Sequence, residues 1–226
     1  MAIDVYLERG EKRVFAVAVK WPGWARSGRS DDEALETLAD YAERYAKVAK
    51  RASVAFRVPR SVGQLTVVER HTGGGGTDFG VPGVTPRADE EPLTGRELKR
   101  QTALLEASWA AFDDAAKKAK GATLRKGPRG GGRDLRKMIG HVLEAEEAYL
   151  HELGSRDKVA AGAVERRMRA VRDAAVALLA ARGRGEEPEP GPRRKAPFWT
   201  PRYFVRRSAW HALDHAWEIE DRAIRG

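Results

Sequence analysis

The stretch TPRYFVRRSAWHALDHAWEIEDR, residues 200–222, decides how the chain is read. Thr200 can cap a helix, and Pro201 stands at its first position, where a missing N–H costs nothing. Within it, His211 and His215 form an H-x-x-x-H pair. Spacing of four puts both imidazoles on one helix face, one turn apart, a geometry that suits two ligands on one divalent metal. Apolar Ala212, Leu213, Ala216 and Ile219 surround the pair. Trp210 and Trp217 lie two turns apart, which reads as packing rather than as a platform for stacking bases.

Three more helices precede this one. Thr94-x-x-Glu97 forms a capping box ahead of Leu98, Leu105, Trp109, Phe112 and Ala116 at helical spacing. Gly127-Pro128 and Gly130–Gly132 break the chain. A second helix starts near Asp134, carries Leu135, Met138, Val142, Ala145 and Tyr149, and ends at Gly154. A third runs from about Lys158 through Val164, Met168, Val171, Ala175 and Leu178, and stops before Gly183. A Pro-rich loop then covers 185–198. Four such helices predict a four-helix bundle over residues 94–226.

His141 stands in the second of these helices beside Met138, Val142 and Ala145, facing the interior. With His211 and His215 it completes a set of three imidazoles able to hold a metal that still takes water or substrate. The same residues also read as satisfied core histidines, and spacing alone leaves both readings open. Glu144 and Glu218 each follow a histidine by three residues, on its side of the helix. Each is a candidate to orient an imidazole or act as a general base, or else a solvated charge. His71 and His151 read as surface residues.

The chain has 226 residues, 42 % of them hydrophobic and 33 % charged, which is enough apolar bulk for a core. It has no cysteine, so disulfides, thiolate metal sites and a cysteine nucleophile are excluded. No signal peptide and no membrane-spanning run is recognisable, and a cytoplasmic location is expected. The formal net charge of +9 is unevenly placed: residues 1–93 hold 14 basic and 14 acidic side chains, and residues 94–226 hold 28 and 19. Segments 125–137 and 193–207 concentrate the excess, each leading into a histidine-bearing helix. In a simple up-down bundle both would lie at one end, where Arg206 and Arg207 could hold a small anionic substrate over the metal. The bland alternative is that these are solubilising loop charges. Charge is the sole argument for a nucleic-acid partner, and none is expected, because no finger, RNA-recognition or helix-turn-helix pattern accompanies it.

The first part of the chain predicts a small ββαββ unit. Ile3, Val5 and Leu7 alternate with polar residues, VFAVAV (14–19) suits a central strand, and Ser30 caps a helix opening Asp31-Asp32-Glu33. Leu35, Leu38, Ala42, Tyr45 and Ala49 continue that helix, and Val54/Phe56 and Leu65–Val68 are candidate return strands. Residues 71–93, rich in Gly and Pro, read as a linker, and their four consecutive glycines lack the Gly-Lys-Ser/Thr of a phosphate loop.

Two resemblances sharpen this. With its paired first strands, Trp21-Pro22-Gly23-Trp24, Ser27-Gly28 and the helix opening Ser30-Asp31-Asp32-Glu33-Ala34-Leu35, the stretch 1–70 resembles the HicB-like antitoxin fold. That implies a partner-binding module. Residues 94–226 resemble the DinB/YfiT-like superfamily of four-helix-bundle metalloproteins. The resemblance rests on Met138-Ile139-Gly140-His141-Val142 and on Arg207-Ser208-Ala209-Trp210-His211-Ala212-Leu213-Asp214-His215-Ala216-Trp217-Glu218. It implies that His141, His211 and His215 hold zinc, nickel or iron, and that a low-molecular-weight thiol takes part in a transferase or isomerase reaction. The family often has an unusual helix order with a longer crossover, whereas the gap from Gly154 to Lys158 is short. The expected architecture is therefore α+β: a HicB-like domain (1–70), a linker (71–93) and a DinB-like bundle (94–226). The competing expectation is a non-enzymatic regulatory or protein-interaction protein, a HicB-like module on a helical scaffold that meets a protein partner; with either reading a homodimer is open.

Overall fold

A computed structural model describes residues 2–126, 132–156, 161–192 and 194–224. The expected breaks at Gly127-Pro128 and Gly130–Gly131, the helix start near Lys158, and Arg129 and Arg193 lie outside the described residues. Strands come first and helices follow, so the chain is mixed α+β.

Strand β1 (Ile3–Arg9) pairs antiparallel with β2 (Val14–Ala18), from Val5 opposite Ala18 to Arg9 opposite Val14. The Trp21–Trp24 turn then sends the chain back as β3 (Ala25–Gly28) along the outer edge of β2. This third strand was not expected, because Ala25-Arg26-Ser27-Gly28 lacks an apolar alternation and forms through its position beside β2. Gly23 holds the turn at φ +91°, and a Cβ there would lie 2.8 Å from the Leu213 side chain, so the turn is moulded to a distant helix.

Helix α1 (Asp31–Asp40) is capped by Ser30, whose hydroxyl accepts from Glu33 N. The Glu33 carboxylate returns to Arg29 N, one residue before the cap. The apolar stripe continues across a break at Tyr41 into α2 (Ala42–Arg51). β4 (Leu65–Thr72) then pairs parallel with β1, giving the sheet order β3-β2-β1-β4. Val54 and Phe56 form no strand; Phe56 instead packs edge-on against Trp21, Trp24 and Tyr45. The expected ββαββ order is thus corrected to βββααβ.

Residues 73–93 are a packed connection rather than a loose linker. They contain α3 (Gly75–Phe79) and a single 3-10 turn at Arg87–Asp89, with Thr77 and Asp89 buried. Four longer helices follow: α4 (Gly95–Lys118), α5 (Leu135–Leu153), α6 (Val164–Gly183) and α7 (Pro201–Arg222). Thr94 stands at the N-cap of α4, but its side chain makes no capping bond. Asp134 and Thr200 do cap α5 and α7, accepting from Lys137 N and Tyr203 N. A short pair, β5 (Thr123–Leu124) with β6 (Ala223–Ile224), ties the ends of α4 and α7.

Contacts fix the helix directions. Leu98 reaches Gly183 and Asp113 meets Arg172, so α4 and α6 are antiparallel. Glu147 meets Arg167 and the Leu153 carbonyl meets Arg182, so α5 and α6 are parallel. Tyr149 packs on Trp199 and His141 on His215, so α5 and α7 are antiparallel. The bundle runs up-down-down-up, with α7 between α4 and α5. The helix order, which the sequence leaves open, is therefore not a simple alternation, and the starts of α5 and α7 lie at opposite ends.

The two parts are not beads on a string. One sheet face, with Val5, Leu7 and Ala16, packs with α1 and α2 into a core that also takes Ala107 of α4 and Leu213 and Trp217 of α7. The opposite face, with Tyr6, Phe15 and Val17, closes over Trp210 of α7. No described helix is long and apolar enough to cross a membrane.

Candidate metal centre

Helix α7 is buried around most of its circumference, because it faces α4, α5 and the N-terminal sheet at once. His211 and His215, each 6 % exposed, lie on the side facing α5. His141, half-buried nearly two turns into α5, meets them there. The ligand atoms of the three residues all lie within 4.8 Å of one another. The Nε2 atoms of His141 and His211 are 3.2 Å apart. Two nitrogens on one tetrahedral zinc, each about 2.0–2.1 Å from the ion, stand about 3.3 Å apart, so this pair is already at ligand spacing. Three His are thus close enough to hold a metal ion.

The protonation states fit that role. Burial pushes the His141 imidazole down to about 4, helped by Arg133 and His215. Burial also drives His211 well below its ordinary value, with His215, His141, Arg207 and Arg133 adding repulsion. Both are neutral at pH 7 and can offer a lone pair. His215 Nδ1 donates to Glu218 Oε2 at 3.0 Å, which turns its Nε2 toward the other two rings. Burial pushes the Glu218 carboxyl up, but hydrogen bonds and charge from His215 and Arg222 outweigh it and hold it at about 2. It is therefore an ionised acceptor. Arg222 passes the link on, donating to Glu218 Oε1 and to the carbonyls of Arg125 and Arg133.

His211 Nδ1 is buried without a hydrogen-bond partner. The arrangement that wastes least places its hydrogen on Nε2, donated to His141 Nε2, and leaves Nδ1 as a bare lone pair. Three rings converging on one another, one of them with a buried unpaired nitrogen, are a poor way to satisfy a core and a good way to meet a cation.

The remaining candidates separate. Glu144 is exposed on α5 and is not a hydrogen-bond partner of the imidazoles. Its offset of three residues turns it about 60° around the helix. From half-buried His141 that rotation leads to solvent, while from buried His215 the same rotation leaves Glu218 at the margin. Arg206 is corrected as an anion ligand. It is 6 % exposed, its guanidinium clasps Asp89 at 2.6 and 2.7 Å, and it also donates to the carbonyls of Ala18 and Val19. One residue on, a turn of about 100° points Arg207 toward the histidines. Its guanidinium lies 4.9 Å from the Trp210 ring and 5.5 Å from the Tyr149 ring.

Tyr149, which helical spacing alone assigns to the core, is a neighbour of the site. Its ring meets His211 edge-on at 5.7 Å, and burial raises its hydroxyl pKa against the pull of Arg207, so it remains a donor. Its signal was its place two turns beyond His141 in the same helix. Compared with known protein families, curated proteins and solved structures, the chain matches none.

Proposed function

We propose that this is a DinB-like divalent-metal-binding protein and that its centre serves a low-molecular-weight-thiol-dependent transfer or isomerisation of a small anionic substrate. The observation that carries the reading is the convergence of His141, His211 and His215, with His215 turned inward by Glu218. Zinc, nickel or iron all suit three imidazole ligands, and the bound ion would supply Lewis acidity that lowers the pKa of a coordinating thiol or water. The chain has no cysteine of its own, so the reactive thiol would come with the substrate or a cofactor.

The protein residues have distinct tasks. Glu218 holds the His215 tautomer, and Arg222 holds Glu218. Arg207 offers a positive charge beside His211, fixed by two aromatic rings, for a carboxylate or similar anion. Tyr149 keeps a neutral hydroxyl beside them that can donate to an oxyanion.

Elemental analysis of untagged protein tests the reading, since a polyhistidine tag would bind metal itself. The expected result is about one zinc, nickel or iron per chain, lost in His211→Ala. No metal in either protein, even after incubation with each ion, would overturn it.

A further inference from the structure

Glu8 is an anomaly in the N-terminal sheet. It sits on β1, 1 % exposed, at a position where its neighbours Val5, Tyr6 and Leu7 are core. A buried carboxylate is costly unless its oxygens are fully used. Among the described residues its hydrogen-bond partners are all uncharged donors. Oε1 accepts from Thr77 Oγ1 at 2.6 Å, and the backbone N–H groups of Gly83 and Val84 donate to the carboxylate at 2.9–3.0 Å.

Those two N–H groups belong to the peptide units Pro82–Gly83 and Gly83–Val84. A trans peptide is planar, with its N–H and C=O pointing opposite ways. Fixing both N–H groups on Glu8 therefore fixes both carbonyls in the other direction, toward α7. The Pro82 carbonyl accepts from Arg207 Nη1 at 2.5 Å, and the Gly83 carbonyl accepts from Tyr203 Oη at 3.0 Å. Arg207 is the cation beside His211. A carboxylate on β1 is thus tied by one rigid peptide plane to the arginine at the candidate metal centre, and by the next plane to Tyr203, one turn earlier on the same helix.

We infer that Glu8 is a positioning residue for the centre: through Pro82–Val84 it sets the Arg207 guanidinium where an anionic group of a bound ligand is gripped. The N-terminal unit then builds a wall of the site. This inference rests on the metal-centre reading above and goes beyond it by giving the N-terminal unit a part in ligand choice.

The test uses the full chain loaded with cobalt(II) and two thiol probes, mercaptosuccinate and neutral 2-mercaptoethanol, followed by the thiolate-to-cobalt absorption band. Wild type is expected to prefer the dicarboxylate thiol by about tenfold or more. Glu8→Gln puts an NH2 group against backbone donors and is expected to reduce that preference to about threefold or less, with cobalt affinity within about twofold. In the metal-free chain, amide exchange at Gly83 and Val84 should accelerate in the same variant. Tyr203→Phe, which removes one bond to the segment and nothing from the core, should lower the preference by a smaller factor and decides the matter if Glu8→Gln does not fold. A full preference retained in the folded Glu8→Gln chain, or in Tyr203→Phe where that variant decides, overturns this inference alone. A wild-type chain that binds no cobalt overturns it together with the metal-centre reading.

Discussion

Arg206 and Arg207 are adjacent on α7, and their surroundings divide the helix into two seams. On one, Arg206 is consumed by Asp89 and two strand carbonyls, and Leu213 and Trp217 complete the core of the N-terminal unit. Every polar group of the Arg206 side chain has a partner. On the other, three imidazoles face one another, His211 Nδ1 has no partner, and Arg207 is held by rings and a single carbonyl. The first seam is arranged to stay shut. The second brings three possible metal ligands together, which is the mark of a candidate site. One helix thus carries a closed structural seam on one side and the candidate metal site on the other, and substitutions on the two sides should have separable effects.

The largest effect is expected on the closed seam. Arg206→Ala or Asp89→Ala strands a buried charge and should cost about 3–5 kcal/mol in urea unfolding, while metal affinity of the folded fraction stays unchanged. On the open seam the order reverses. His211→Ala should abolish stoichiometric zinc binding in titration calorimetry, yet leave the metal-free chain within about 1–2 kcal/mol of wild type, because the imidazole it removes is poorly satisfied. Glu218→Gln should weaken zinc about 10–100-fold by loosening the His215 tautomer. Glu144→Gln, exposed and apart from the imidazoles, should change neither quantity measurably.

Acid should act on the open seam in two separate windows. The folded site resists protonating His141 down to about 4, against an ordinary value of 6.5. Between those values the unfolded chain binds the proton and the folded chain does not, so metal-free stability should fall as pH drops from 6.5 to 4. His141 is partly exposed, so its share is of order 1 kcal/mol after solvent screening. Glu218 acts lower: its stabilising ion pair is present above 4.5 and lost as pH falls toward 2. Urea midpoints at pH 7, 5.5 and 4 on metal-free wild type and His141→Ala would show the first window shrinking in the variant.

What could be read from the chain was local. Thr200 with Pro201, and Asp134 with Gly154, mark helix ends through capping chemistry that acts within one turn. His211 and His215 declare their shared face through spacing alone. What the chain leaves unread depends on distant partners. β3 exists because β2 offers it an edge, and the parallel run of α5 and α6 is set by packing with α4 and α7. Arg206 looks like any basic residue until Asp89, 117 positions earlier, is folded against it. Glu8 looks like the polar half of a strand alternation until Gly83 and Val84 arrive above it. Glu144 and Glu218 share one spacing rule, and only the burial of their histidines separates them.

The most direct test of the two-seam account is thermal unfolding of untagged wild type, Arg206→Ala and His211→Ala, each with and without zinc at about 100 times its Kd. Ligand linkage at that ratio stabilises the folded state by about 2.7 kcal/mol, which for a chain of this size raises Tm by roughly 5–10 °C. The account predicts that rise in wild type, a similar rise from a lower baseline in Arg206→Ala, and none in His211→Ala. A rise that persists in His211→Ala, or that disappears in Arg206→Ala, would contradict it.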